Sequence, residues 1–132
     1  KLEIKDKVTF LGTISEQEKM DLLCNLDVYL MPSLVEGCPI ALLDAMAAGK
    51  AIIASDISSI REIVTHNQEA ILIDPHKVNE LMEYILLLYN NHSLRSKLGL
   101  RAKICSKRYD SNIIYNRIYL IYERLLERKK SR

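Results

Sequence analysis

The sequence predicts an α/β domain built on a doubly wound parallel sheet and followed by a helical tail. Three observations predict it. Short apolar runs alternate with helical periodicity over the first two thirds of the chain. Those runs are continuously apolar rather than alternating, as expected of strands covered on both faces. From Val78 onward, apolar residues recur only at helical spacing.

Taken in order, Val8–Leu11 is a strand candidate closed by Gly12. Ser15 opens a helix with a capping box, its hydroxyl serving a backbone N–H while Glu18 reaches back. Leu22, Leu23 and Leu26 give that helix an apolar side. Val28–Met31 is a second strand, ended by Pro32; a loop from Ser33 to Cys38 leads into a helix from about Pro39 to Ala48, stopped by Gly49. Ala51–Ala54 is the next strand, then a short helix around Ile60–Val64, then a strand at Ala70–Ile73. Strand, helix, strand in sequence implies parallel pairing with right-handed crossovers. In the tail, Leu81, Ile85 and Leu88 form one stripe, and Leu94, Leu98 and Ala102 the next. Ile114, Ile118, Ile121 and Leu125 continue that spacing. With no internal repeat or flexible linker, residues 1–132 are expected to form a single partial domain, 1–76 its α/β part and 77–132 its helical tail.

Composition excludes several classes. At 132 residues, 48% hydrophobic and 27% charged, the chain has apolar side chain enough for one buried core. A net charge of +2 is too small for a nucleic-acid partner, and 6% aromatics without Trp make a poor base-stacking platform. No apolar run approaches the roughly 18 to 20 residues of a membrane span, and the mixed-charge start is no signal peptide. Three cysteines, Cys24, Cys38 and Cys105, without a Cys-x-x-Cys spacing, argue against a disulfide frame or a zinc site. A reducing cytoplasmic setting is therefore expected. A chain beginning at Lys1 is also expected to be a piece of something longer.

The stretch from Met31 to Gly49 carries the chemistry. Ligands of open parallel sheets bind beyond the carboxyl ends of strands, and this loop leaves such an end. Gly37 admits close backbone approach, Pro39 suits a first helical turn, and the turn's free N–H groups with the helix dipole suit phosphate. Glu36 stands at the mouth, as a ligand contact or as a solvated loop acid. From Ile40 to Gly49, Asp44 is the only polar side chain. A carboxylate on a buried helix requires a partner, either within the protein or in a ligand.

Val8–Gly12, the run Asp27–Ser33, Glu36-Gly-Cys-Pro39 and Leu43-Asp-Ala-Met-Ala-Ala-Gly49 together resemble the donor-binding half of retaining glycosyltransferases of the GT-B fold, in the large family-four group. Glu62–Val64, Leu72–Pro75, Leu94–Gly99 and the terminal Tyr-containing helix also fit, so the resemblance covers almost the whole chain. It implies a Rossmann-like C-terminal domain and transfer of a sugar from a nucleotide-sugar donor, with retention, to a glycan, lipid or similar acceptor, as in polysaccharide biosynthesis. It implies no cofactor and no obligatory metal, and the chain has no Asp-x-Asp. The family marks its donor site with a Glu, seven residues, then a second Glu. By that resemblance Glu36 holds the transferred sugar and Asp44 the ribose hydroxyls. Gly37, Cys38 and Pro39 form the backbone cradle, Gly12 lies near the base, and loop contacts from Ser33 to Ile40 select the sugar.

The chain departs from the pattern in places. Its second acid is Asp, shorter than Glu by one methylene; Ala51 stands where Pro is frequent and Ala70 where Gly is usual. The family's acceptor-binding domain and diphosphate-clamping Arg and Lys have no counterpart, so the chain alone is expected to be inactive. By resemblance the missing strands sit between Val8–Leu11 and Val28–Met31. His66, His76 and His92 are scattered without ligand spacing. Cys38 is either a packing residue or a thiol activated by the helix dipole. The bases Arg124, Arg128, Lys129, Lys130 and Arg132 suit a solvated helix end or a peripheral contact with anionic lipid. Two other readings stand beside the transferase: a non-catalytic nucleotide-binding module, and an interaction domain docking through its last helix.

Overall fold

A computed structural model describes residues 4–130. After a 3-10 turn at Lys5–Lys7 come α1 (Glu16–Asn25), β1 (Val28–Met31), α2 (Ile40–Ala47), β2 (Ala51–Ser55), α3 (Ser58–Arg61) and β3 (Ile71–Ile73). Three helices follow: α4 (Val78–Asn90), α5 (His92–Ser106) and, beyond a 3-10 turn at Lys107–Tyr109, α6 (Ser111–Lys130). The sheet order is β1-β2-β3, all parallel, with Val28 opposite Ala51 and Ile53 opposite Ile71.

The central strand shows why these runs are apolar without alternation. All five residues of β2 are buried. Ile52 and Ala54 join Leu23 of α1, Met31, and Leu42, Ala45 and Met46 of α2 on one face. Ala51 and Ile53 join Ile71, Ile73, Leu88 of α4 and Leu98 of α5 on the other. Helix α5 serves both, because Ala102 and Cys105 pack into the first cluster. The sheet is thus doubly covered, as the fold class requires.

The expected strand at Val8–Leu11 is not one. Val8 keeps an extended backbone (φ −122°, ψ 126°), yet no ladder forms and Phe10 is 94% exposed. The local preference for extended chain is present, but extended backbone becomes a strand only beside a hydrogen-bonding neighbour. Among the described residues β1 pairs with β2 alone, and its other edge offers Val8–Leu11 no register. Other boundaries move slightly: β2 runs on to Ser55, the short helix starts earlier at Ser58, and β3 begins at Ile71. In the tail, Leu88, Leu98 and Ala102 are buried as their stripes imply. Helix α6 instead leaves its stripe exposed, from Ile114 to Leu125. Arg132 and the first three residues lie outside the described part.

Two glycines set the approach of α2 and α5. Gly49 ends α2 at φ +71°; its N–H donates to the Met46 carbonyl and that of Lys50 to Ala45, closing a Schellman motif. A Cβ on Gly99, within α5, would lie 2.1 Å from the Gly49 carbonyl oxygen. The oxygen belongs to backbone and a Cβ is held rigidly by its own Cα, so neither swings aside. Gly99→Ala is expected to cost about 2 to 3 kcal/mol of stability by overpacking, outweighing the helix-propensity gain of about 1 kcal/mol. A urea titration of the two chains checks this, and equal midpoints would refute the close crossing.

Candidate functional site

Parallel pairing brings the ends of β1, β2 and β3 to one edge of the sheet, and the loop after Met31 rises from it. Of the residues singled out there, Ser33 and Glu36 are half-buried, Gly37 and Cys38 exposed, and Pro39 buried. Pro39 takes the N-cap of α2 at φ −80°, one place before the first helical residue. The Ile40 N–H donates to the Cys38 carbonyl at 2.9 Å, and Leu42 and Leu43 donate to that of Pro39. Fewer donors remain for an anion than four open N–H groups would give. Among the described residues, those of Gly37, Cys38 and Ala41 have no backbone partner.

Asp44 lies one turn into α2, and its partner within the protein is Lys19 of α1. Nζ of Lys19 is 2.9 Å from Asp44 Oδ2 and also pairs with Glu16. Hydrogen bonds to Glu16 and then to Asp44 hold the Lys19 ammonium above the usual lysine value. A lysine raised in the folded state favours folding below the ordinary lysine range and loses that contribution as pH rises through its own pKa. The pairing is therefore complete at neutral pH. At the start of the same helix, Glu18 accepts hydrogen bonds from the N–H and hydroxyl of Ser15 while donating its own N–H to Ser15 Oγ, the expected capping box. At its far end, Lys50 donates to the Cys24 carbonyl at 2.7 Å. Polar ties thus fix α1 against the α2 segment at both ends.

Both acids act on Tyr29 of β1. Burial first, then the negative charges of Glu36 and Asp44, hold its phenol above the ordinary value, with the charge of Lys19 opposing them. Glu36, Asp44 and Lys19 therefore all bear on the charge of one phenol. Gly12, exposed at φ +64° ahead of α1, makes no hydrogen bond or ion pair to that group among the described residues. The histidines stay apart: His66 Nδ1 accepts from the Leu72 N–H at 3.0 Å with its ring edge-on to Tyr84, and His76 and His92 are exposed. Cys24 and Cys38 are exposed free thiols and Cys105 is buried. Among the described residues, no three His, Cys, Asp or Glu gather as metal ligands, and no helix is long and apolar enough to cross a membrane.

Lys19 and Tyr29 are the site residues that the sequence reading passed over. A signal for Lys19 was present. Lys19, Leu22, Leu23 and Leu26 follow the i, i+3, i+4, i+7 spacing of one helix face. A lysine in such a stripe calls for an anion opposite, just as Asp44 calls for a cation.

Residues 1–104 match the family described as Glycosyl transferases group 1. The chain belongs to that family. A curated relative, the N,N'-diacetylbacillosaminyl-diphospho-undecaprenol alpha-1,3-N-acetylgalactosaminyltransferase of Campylobacter jejuni, is 33% identical over 120 residues, which cover 91% of this chain and 31% of the relative. The chain spans about a third of the length of the curated relatives it matches. Among solved structures, sucrose-phosphate synthase from Thermosynechococcus elongatus superposes with a TM-score of 0.87 at 22% identity, covering 94% of this chain and 31% of that one. Anabaena HepE in complex with UDP-glucose gives 0.83 at 23% identity, covering 90% and 33%. These likenesses establish the Rossmann-like α/β architecture for this member of the glycosyl transferases group 1.

The charges that bear on Tyr29 have a measurable consequence. Glu36→Gln should lower the Tyr29 pKa toward its ordinary value, and Lys19→Met should raise it further, since each removes one of the charges acting on the phenol. The Cζ resonance of Tyr29 followed through an alkaline titration reads both shifts. An unmoved titration in either variant would place that charge away from the ring.

Proposed function

We propose that this chain supplies the nucleotide-sugar donor site of a retaining glycosyltransferase, acting on a glycan, lipid or similar acceptor in polysaccharide or glycolipid assembly. The observation that carries the reading is the pair of acids, Glu36 on the loop that leaves the carboxyl end of β1 and Asp44 on α2, both acting on the Tyr29 phenol. Membership of the glycosyl transferases group 1 supports it, as does the UDP-glucose bound by Anabaena HepE. The diphospho-undecaprenol named for the Campylobacter relative supports a lipid-linked acceptor class.

In this reading Glu36 accepts hydrogen bonds from hydroxyls of the transferred sugar and holds its anomeric carbon toward the acceptor. Asp44 accepts from the ribose hydroxyls. The open N–H groups of Gly37, Cys38 and Ala41, with the positive end of the α2 dipole, stabilise the diphosphate as it takes up charge on leaving. Pro39, buried beneath them, fixes the turn, while Ser33 lies where the loop leaves the strand and Gly12 toward the base. No resident metal is assigned to the reaction. The acceptor is held by a separate acceptor-binding domain, and the chain without it does not complete a transfer.

Two substitutions separate the roles. In the intact transferase, Glu36→Ala is expected to lose about 1.5 to 3 kcal/mol of transition-state binding, roughly 10- to 150-fold in kcat/KM, with nucleoside diphosphate affinity retained. Asp44→Asn is expected to weaken nucleotide binding itself. Wild-type turnover in the first variant would sink the sugar assignment; unchanged affinity in the second would leave Asp44 a structural acid. Removing divalent metal with a chelator should leave the transfer rate as it was, and loss of activity restored by added metal would overturn the metal-independent reading.

A further inference from the structure

Asp44 and Lys19 are each the charged member of an otherwise apolar helix face, and the structure sets them against one another. Their side chains are 28% and 30% exposed, so the pair is partly open to solvent rather than enclosed in the core. Lys19 engages Oδ2 of Asp44, and among the described residues Oδ1 has no protein partner. Lys19 is itself held from behind by Glu16, in the first turn of a helix whose start is fixed by the Ser15–Glu18 capping box. Two carboxylates already oppose its single charge, which makes it a poor ligand for a diphosphate. The arrangement instead orients a carboxylate: one oxygen is engaged by a braced cation and the other is left without a protein partner among the described residues. An aspartate, shorter than the glutamate of the family pattern, has less freedom to find its ligand by bending.

We propose that Lys19 is a positioning residue of the donor site, which holds Asp44 by Oδ2 so that Oδ1 meets the ribose hydroxyls of the nucleotide. This rests on the reading above that Asp44 contacts the ribose. Lys19 touches neither sugar nor phosphate and acts through Asp44 alone. Its loss should therefore be felt only by ligands that carry ribose hydroxyls.

The test is a set of affinities measured by calorimetry on the intact transferase. Uridine, guanosine and adenosine diphosphates are tried first, and the tightest is compared with its 2′,3′-dideoxy form. The wild-type chain should prefer the ribose form by about tenfold or more, as for hydrogen bonds to a charged group. Asp44→Asn should abolish that preference. Lys19→Met should reduce it to about threefold or less while leaving the dideoxy affinity unchanged, and Lys19→Arg should restore most of it. Lys19→Gln, which keeps length and polarity without charge, takes the place of Lys19→Met if the latter fails to fold.

Each outcome has one meaning. A full ribose preference in Lys19→Met overturns this inference and leaves the donor-site reading intact. An equal loss with ribose and dideoxy forms makes Lys19 a phosphate ligand and also overturns it. A wild-type chain that binds nucleotide without ribose preference overturns the role of Asp44, and a chain that binds none of the three overturns the donor site itself.

Discussion

Because both faces of β2 are covered, Ala51–Ser55 is wholly buried, and the sheet exists only with α1 and α2 on one side and α4 and α5 on the other. At roughly 25 cal/mol per Å² of apolar surface removed from water, that two-sided burial is the dominant favourable term in the fold. It also fixes direction. Parallel strands need crossovers over the faces, so every strand ends at the same edge. The loop from Ser33 to Cys38 is thereby raised on a rigid support, and α2 is aimed with its amino end toward whatever lies beyond that edge. The crossing of Gly49 and Gly99 locks α2 in that attitude from behind.

Much of this was legible in the residues. The continuous apolar runs announced a doubly covered parallel sheet, the Ser15–Glu18 box announced the start of α1, and Gly49 announced the end of α2. Val8–Leu11 was misread because its residues prefer extended backbone, and a propensity says nothing about whether a neighbouring strand exists to complete the hydrogen bonds. In the site, the need of Asp44 for a partner followed from its apolar helix, but its identity did not. Lys19 is 25 positions away, and only the packing of α1 on α2 brings the two together. Tyr29 was hidden for a related reason. Within an apolar strand an aromatic residue looks like core, which Tyr29 partly is, and the influence of Glu36 and Asp44 on its phenol arises from the fold and not from its local sequence.

Charges placed in apolar stripes are tolerated here because they lie at the margin of the packed layers. A fully buried pair would lose more in hydration than it recovered in attraction. There, water still reaches both groups, and their worth lies in geometry more than in stability. Helix α1 illustrates the point, since Leu23 is its one buried side chain. Its position against α2 depends on directional contacts, Lys19 to Asp44 and Lys50 to the Cys24 carbonyl, to a degree unusual for a helix on a sheet.

The unpaired outer edge of β1 has a different bearing. A strand with one free edge presents a row of backbone donors and acceptors in register, and among the described residues β1 pairs on one side only, with Leu30 exposed. Such an edge is a template on which a second molecule can add a strand.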